Sequence, residues 1–245
     1  MPDAMVIAIQ SMQGDLLRME AISQNIANIS TPGYKREIPV TRPFPEFMHA
    51  VGAGSPHIAG TEPAESGTDN LLDGSAGPVK PTGRPFDVAV MGDGYLEVMT
   101  KDGPAYTRSG SLQLDPAGRL VNMAGLPVSG VNGDITLNGA VASIAPNGEI
   151  SQDGRVVGQI KVVEFADSGA MKRLPNGLLQ PADKTVQGTV AKTALRVGFL
   201  EGSNVQPLKE MLTMMETMRR FEASQKLFQG YDEVMRSAIG KLLGQ

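Results

Sequence analysis

The chain has 245 residues, a net charge of −4 from 22 basic and 26 acidic side chains, and no cysteine. A hydrophobic fraction of 41% supports a packed core, while the acidic balance, with no Lys/Arg cluster, excludes a phosphate-neutralising surface for nucleic acid. The absence of cysteine excludes disulfides and thiolate chemistry, and 4% aromatic content without tryptophan disfavours an aromatic-walled small-molecule pocket.

Residues 3–29 contain one glycine, Gly14, and no proline. Met5, Ile9, Met12, Leu16, Met19 and Ile26 fall at alternating spacings of four and three, with Ser23 in the missing step. That heptad seam predicts a helix about 40 Å long. Asp3 stands where an N-cap belongs, and Pro32-Gly33 provides a stop. No Lys or Arg precedes Arg18, and the longest early apolar run is Ala4–Ile9, so a cleaved signal peptide is not expected. No stretch approaches the roughly 18 apolar residues of a membrane span.

Residues 35–84, rich in Pro, Gly, Ser and Thr, read as an extended arm and carry both histidines, His49 and His57. The next stretch, 85–203, reads as β. Asp87–Val90, Tyr95–Val98 and Gln159–Phe165 predict strands, and Asp102-Gly103, Asn132-Gly133, Asn138-Gly139, Asn147-Gly148 and Asp153-Gly154 predict turns. Turns recurring about every ten residues suit a sandwich or barrel-like domain.

Residues 204–245 predict a second, longer helix. Met214, Phe221, Phe228, Met235 and Leu242 recur every seventh position, flanked by Met211, Met218, Tyr231, Ala238 and Ile239. Ser203 and Gln206 have capping-box spacing, and Pro207 falls in or near the first turn. Glu216/Arg220, Glu222/Lys226 and Asp232/Arg236 have the favourable i,i+4 order.

The expected fold is a mainly β central domain, an irregular sandwich or barrel-like body. N- and C-terminal heptad-patterned helices flank it and pack together as a coiled-coil layer. The corresponding division is 1–34 helix, 35–84 arm, 85–203 β domain and 204–245 helix. The helical stripes allow two readings: packing inside one chain, or mating between subunits, which would build a helical filament if the interface is open. Adaptable methionine seams suit contacts with slightly different neighbours, though core packing explains them equally.

Catalytic, cofactor and metal sites are not nominated. His49 and His57 lack other ligand types at ligand spacing. Gly92-Asp-Gly94 lacks the third glycine and following helix of a phosphate loop and reads as a hairpin turn. Asp69-Asn70 through Asp73-Gly74 lacks the alternate ligands of a Ca²⁺ loop, and no serine sits in a Gly-x-Ser-x-Gly elbow. Arg108 reads equally as an inter-subunit ion-pair partner or a solvated surface charge. Arg219 and Arg220 read as helix support.

The segment Ser23-Gln-Asn25-Ile-Ala27-Asn28-Ile-Ser-Thr31-Pro32-Gly33-Tyr34-Lys35 resembles the N-terminal signature of flagellar rod and hook proteins, with Ser23 a mild departure. Phe86–Tyr95, Thr107–Ser111, Ser203-Asn204-Val205 and Glu210–Lys226 resemble the family's central and closing motifs in order along nearly the whole chain. The resemblance implies a structural subunit of the basal-body rod. Length and a single central β region look most like its proximal part, with the distal rod as the alternative and, more remotely, a β-domain binding module or adhesin with coiled-coil ends. Inner-layer terminal helices, an outer β domain and a periplasm-spanning location are implied too. Implied partners are other axial subunits and the flagellar type III export apparatus, with no nucleic acid, no membrane insertion and no small-molecule substrate.

The subunit interface so implied combines the heptad and signature residues. At the N-terminus these are Met5, Ile9, Met12, Leu16, Met19, Asn25, Ile26, Asn28, Thr31, Pro32, Gly33 and Tyr34. At the C-terminus they are Asn204, Met211, Met214, Met218, Phe221, Gln225, Phe228, Met235 and Leu242. Asn25 and Asn28, three apart on one helix face, are expected to bond backbones of neighbouring chains.

Overall fold

The computed structural model describes residues 2–40, 70–138, 142–166, 171–174, 176–183, 186, 188–191 and 194–243. His49 and His57 lie outside the described residues. The chain divides into two compact units: a helical unit of 1–26, 38–70 and 207–245, and a β unit of 27–37 and 71–206.

The helical unit contains α1 (Pro2–Ala27, 26 residues) and α2 (Pro207–Leu243, 37 residues). α1 begins at Pro2, so Asp3 lies inside the first turn rather than ahead of it. It ends at Ala27, five residues before Pro32, because Asn28 closes a turn with Thr31: the Thr31 N–H donates to the Asn28 carbonyl at 3.1 Å. The expected Ser203/Gln206 capping box does not form. Ser203 Oγ instead accepts the Val205 N–H at 3.2 Å, and α2 starts at Pro207, whose preset φ and missing N–H suit a first helical position.

α1 and α2 touch. Asn25 Nδ2 lies 3.5 Å from Glu210 Oε2, and Arg220 Nε lies 3.7 Å from Asp15 Oδ1. One helix descends as the other climbs, so they run antiparallel over about 15 Å between these contacts. Among the less exposed positions of α2, Glu210, Met214, Thr217, Phe221, Ser224, Phe228 and Tyr231 recur at alternating four and three, with Thr213 beside that line. Arg220 therefore reaches across to α1, beyond the within-helix support its spacing suggested.

The β unit is built of short antiparallel strands, and among the described residues they do not close a barrel. Its largest sheet has six strands, in the order Met171–Arg173, Leu179–Pro181, Gly103–Thr107, Tyr95–Thr100, Val162–Glu164, Thr189–Val190. A three-stranded sheet joins Ala142–Ile144, Glu149–Gln152 and Arg155–Gln159. Asp153 and Gly154, with φ of 51° and 77°, make the tight turn between the last two strands. The single strand expected over Gln159–Phe165 is broken: buried Ile160 bridges to Gly130, and the chain leaves one sheet there for the other. Three strands also fall within the expected arm, Glu37–Pro39, Asn70–Leu72 and Val79–Pro81.

Buried residues of these and neighbouring strands and bridges form one apolar core that includes Val88, Leu96, Leu120, Val128, Ile150 and Ile160. A second cluster joins Leu72, Tyr95, Tyr106, Val163, Phe165 and Leu179, with Tyr106 set edge-on to Phe165 at 4.8 Å.

Candidate functional site

Where the chain leaves the turn after α1, it enters a knot of buried polar groups in the β unit. Gly33 has φ of +69°, and a Cβ there would lie 2.3 Å from the Ser109 nitrogen, so only glycine fits. Its N–H donates to the Glu201 carbonyl at 2.8 Å. Tyr34 is buried, with the Arg173 guanidinium 4.2 Å from its ring centre. Arg173 also pairs with Glu37 and donates to the Lys35 carbonyl at 2.6 Å.

Lys35 is 2% exposed and Glu201 is 2% exposed, and they meet at 2.8 Å between Nζ and Oε1. The same oxygen accepts the Gly77 N–H at 2.9 Å, and Lys35 Nζ donates also to the Ser75 carbonyl at 2.7 Å. Glu201 Oε2 accepts from Arg108 Nε at 2.9 Å and Nη2 at 2.8 Å. Burial pushes the Lys35 ammonium below its usual value, against the opposing pull of Glu201.

Arg108 is thus neither a surface charge nor free to pair with a neighbouring subunit. It is 4% exposed, and its remaining donors reach the carbonyls of Val90, Gly92 and Gly94. Those carbonyls belong to the Gly92-Asp-Gly94 turn and the strand before it, so the guanidinium holds that turn in place.

Asn204 fastens the same region from the other side. Its Oδ1 accepts the Arg36 N–H at 2.7 Å, and Nδ2 donates to the carbonyls of Asp73 and Ser75 at 2.9 and 3.1 Å. Burial pushes the Asp73 carboxyl up, but hydrogen bonds from Ser75 and the charges of Arg36 and Lys35 outweigh it and leave it below its usual value.

The remaining sequence-predicted residues lie as follows. Asn25 is fully buried and faces Glu210, while half-buried Asn28 accepts the Thr31 hydroxyl at 3.1 Å, so both carboxamides have partners inside the chain. Thr31 is exposed and Pro32 half-buried. On α1, Ile9 and Leu16 are exposed, and Met12, Met19 and Ile26 are half-buried. On α2, Met211, Met218 and Gln225 are exposed, and Met214, Phe221 and Phe228 are half-buried. The side chains of Met5, Met235 and Leu242 lie outside the described residues.

Sequence reasoning passed over Glu201, Glu37 and Arg173. The available signal was a single charge inside an apolar run, Val-Gly-Phe-Leu-Glu201, which has to be paired once buried. Among the described residues, no three His, Cys, Asp or Glu side chains group as a metal site, and no helix is long and apolar enough to cross a membrane.

Family profiles match three stretches. "Flagella basal body rod protein" covers residues 7–35, "Flagellar hook protein FlgE/F/G D1 domain" covers 89–158, and "Flagellar basal body rod FlgEFG protein C-terminal" covers 196–240. The chain is 33% identical over 249 residues to the flagellar basal-body rod protein FlgF of Escherichia coli, covering 95% of each. It is 32% identical over 249 residues to FlgF of Salmonella typhimurium, again over 95% of each. To FlgG of Bacillus subtilis it is 31% identical over 256 residues, covering 94% of this chain and 96% of the relative. The chain belongs to the flagellar basal-body rod protein family.

This rod protein is a structural subunit rather than an enzyme. Each of the three matched stretches of the rod protein supplies one member of the buried ion triad: Lys35 the first, Arg108 the second and Glu201 the third.

Proposed function

We propose that this rod subunit is built into the proximal rod through α1 and α2, which mate with the helices of neighbouring subunits while the β unit folds independently of that contact. The observation that carries this reading is a second apolar stripe on each helix, off the line that is buried within the chain. On α2, Leu208, Met211, Met215 and Met218 step by three, four and three residues and are all exposed. They lie about a third of a turn from the Met214–Phe221–Phe228 line. On α1, Ile9 and Leu16 are each one residue from an i+7 row through Asp15 and Ile22, hence about 100° round the helix.

An exposed heptad stripe of this kind needs a partner helix, and a repeated heterologous contact extends into a filament. The interface then comprises Ile9, Met12, Leu16, Met19 and Ile26 of one chain with Met211, Met218 and Gln225 of another; Met5 continues the α1 row, while Met235 and Leu242 continue the heptad line of Met214, Phe221 and Phe228. Other axial proteins cap the ends of the stack, and the export apparatus delivers the chain. The working division stays 1–34, 35–84, 85–203 and 204–245, with the terminal helices inner and the β region outer. The distal rod is the second reading, because FlgG relatives align with this chain over nearly the same span as FlgF relatives.

Electron cryotomography of basal bodies in cells lacking this chain tests the reading. A rod arrested at its base supports the proximal position, and a longer truncated rod supports the distal one. A complete rod, hook and filament contradicts both.

A further inference from the structure

The β unit is assembled from segments that lie far apart in the chain, and they meet at Glu201. Its carboxylate receives Lys35, 166 residues earlier, Gly77, 124 residues earlier, and Arg108, 93 residues earlier. Its carbonyl receives the Gly33 N–H, and three residues later Asn204 ties down Arg36, Asp73 and Ser75. Lys35 and Arg108 have 2% and 3% of their side chains exposed, so both cations leave water when the unit closes. Burying either without a counter-charge is strongly unfavourable. Strands from the first two thirds of the unit can pair locally, but they cannot bring Lys35 and Arg108 inside together.

We propose that Glu201 is a folding gate: closure of the β unit waits for the segment 201–204. A chain that emerges amino end first therefore stays open around residues 33–36, 73–77 and 108 until its C-terminal segment arrives. Two backbone contacts enforce the coupling. Gly77 packs on the Gly202 carbonyl, too near for a Cβ, and the Gly33 N–H reaches the Glu201 carbonyl at 2.8 Å, so neither segment has its final contacts before residues 201–204 are in place. The gate acts within the β unit and holds for either rod position. It also differs from a triad that only stabilises the finished fold. A gate puts Glu201 into the transition state for folding, whereas a late-forming ion pair affects mainly the unfolding rate.

Refolding and unfolding rates of the full chain after denaturant jumps, followed by tyrosine fluorescence, separate the two. Glu201→Gln is expected to slow refolding at least tenfold while accelerating unfolding less than threefold. The triple variant K35M/R108M/E201M, which has no charge waiting for a partner, is expected to refold at least threefold faster than the wild type. A Glu201→Gln effect that falls mostly on unfolding overturns the gate. Should Glu201→Gln not fold at all, the triple variant decides alone: refolding faster than the wild type supports the gate, and refolding at the same rate or slower overturns it.

Discussion

The two units hold themselves together in different ways. The β unit has a continuous apolar core and a buried ion triad whose contacts lie at 2.7–2.9 Å. The polar contacts described between α1 and α2 are looser, at 3.5 and 3.7 Å, and both helices keep apolar side chains in water. Among the described residues, the β unit has a single large apolar cluster at its centre, whereas each helix sets exposed apolar side chains at helical spacing, the pattern expected of helices that gain stability on assembly.

Removing the triad's anion gives the largest expected separation between the units. Glu201→Gln leaves Lys35 and Arg108 buried without a carboxylate and is expected to cost roughly 3–5 kcal/mol. Thermal unfolding followed by β-sheet circular dichroism checks it, and a loss below 1 kcal/mol would break the contrast. Gly33→Ala comes next, at about 2 kcal/mol or more, because it combines a left-handed φ with a backbone clash at Ser109. Its effect should appear in the same β-unit transition.

The helical unit should respond in the opposite sense. Leu16→Glu and Met218→Glu place charges on exposed stripes, so each is expected to change the monomer's stability by no more than about 0.5 kcal/mol. Both should nevertheless abolish incorporation into basal bodies, read by co-purification. Normal incorporation would remove the stripes from the interface. The smallest effect is expected at Asp73. Its folded-state carboxyl titrates below the unfolded value of roughly 3.9, so its contribution is present above that pH and is lost as pH falls through the lower folded value. Asp73→Asn should flatten the acid limb of the stability curve slightly, and an unchanged limb would contradict the assignment.

How legible these features were in the sequence follows the range of the interactions. Both helices were readable because Met214, Phe221 and Phe228 repeat every seven residues and local spacing sets helix faces. Turns built on Asp-Gly were readable too, as Asp153-Gly154 shows. The turns of Asp115–Gly118 and Asn122–Gly125 were not, because their signal lies in a side chain accepting N–H groups two and four residues on rather than in a dipeptide. Gly33 was legible only as part of a helix stop, and its neighbour Lys35 acquires its role only from Glu201, 166 residues away. Pairwise charge contacts over that distance leave no local pattern. Arg108 was misjudged for the same reason: nothing near it in sequence reveals that it points into the protein.

The most direct measurement is residue-resolved hydrogen exchange of the chain as a dilute monomer and again within purified basal bodies. The account predicts slow exchange through the β unit in both states. It predicts fast exchange along α1 and α2 in the monomer and strong protection of both helices after assembly. Helices already protected in the dilute monomer, to the same degree as strands Tyr95–Thr100 and Gly103–Thr107, would contradict it.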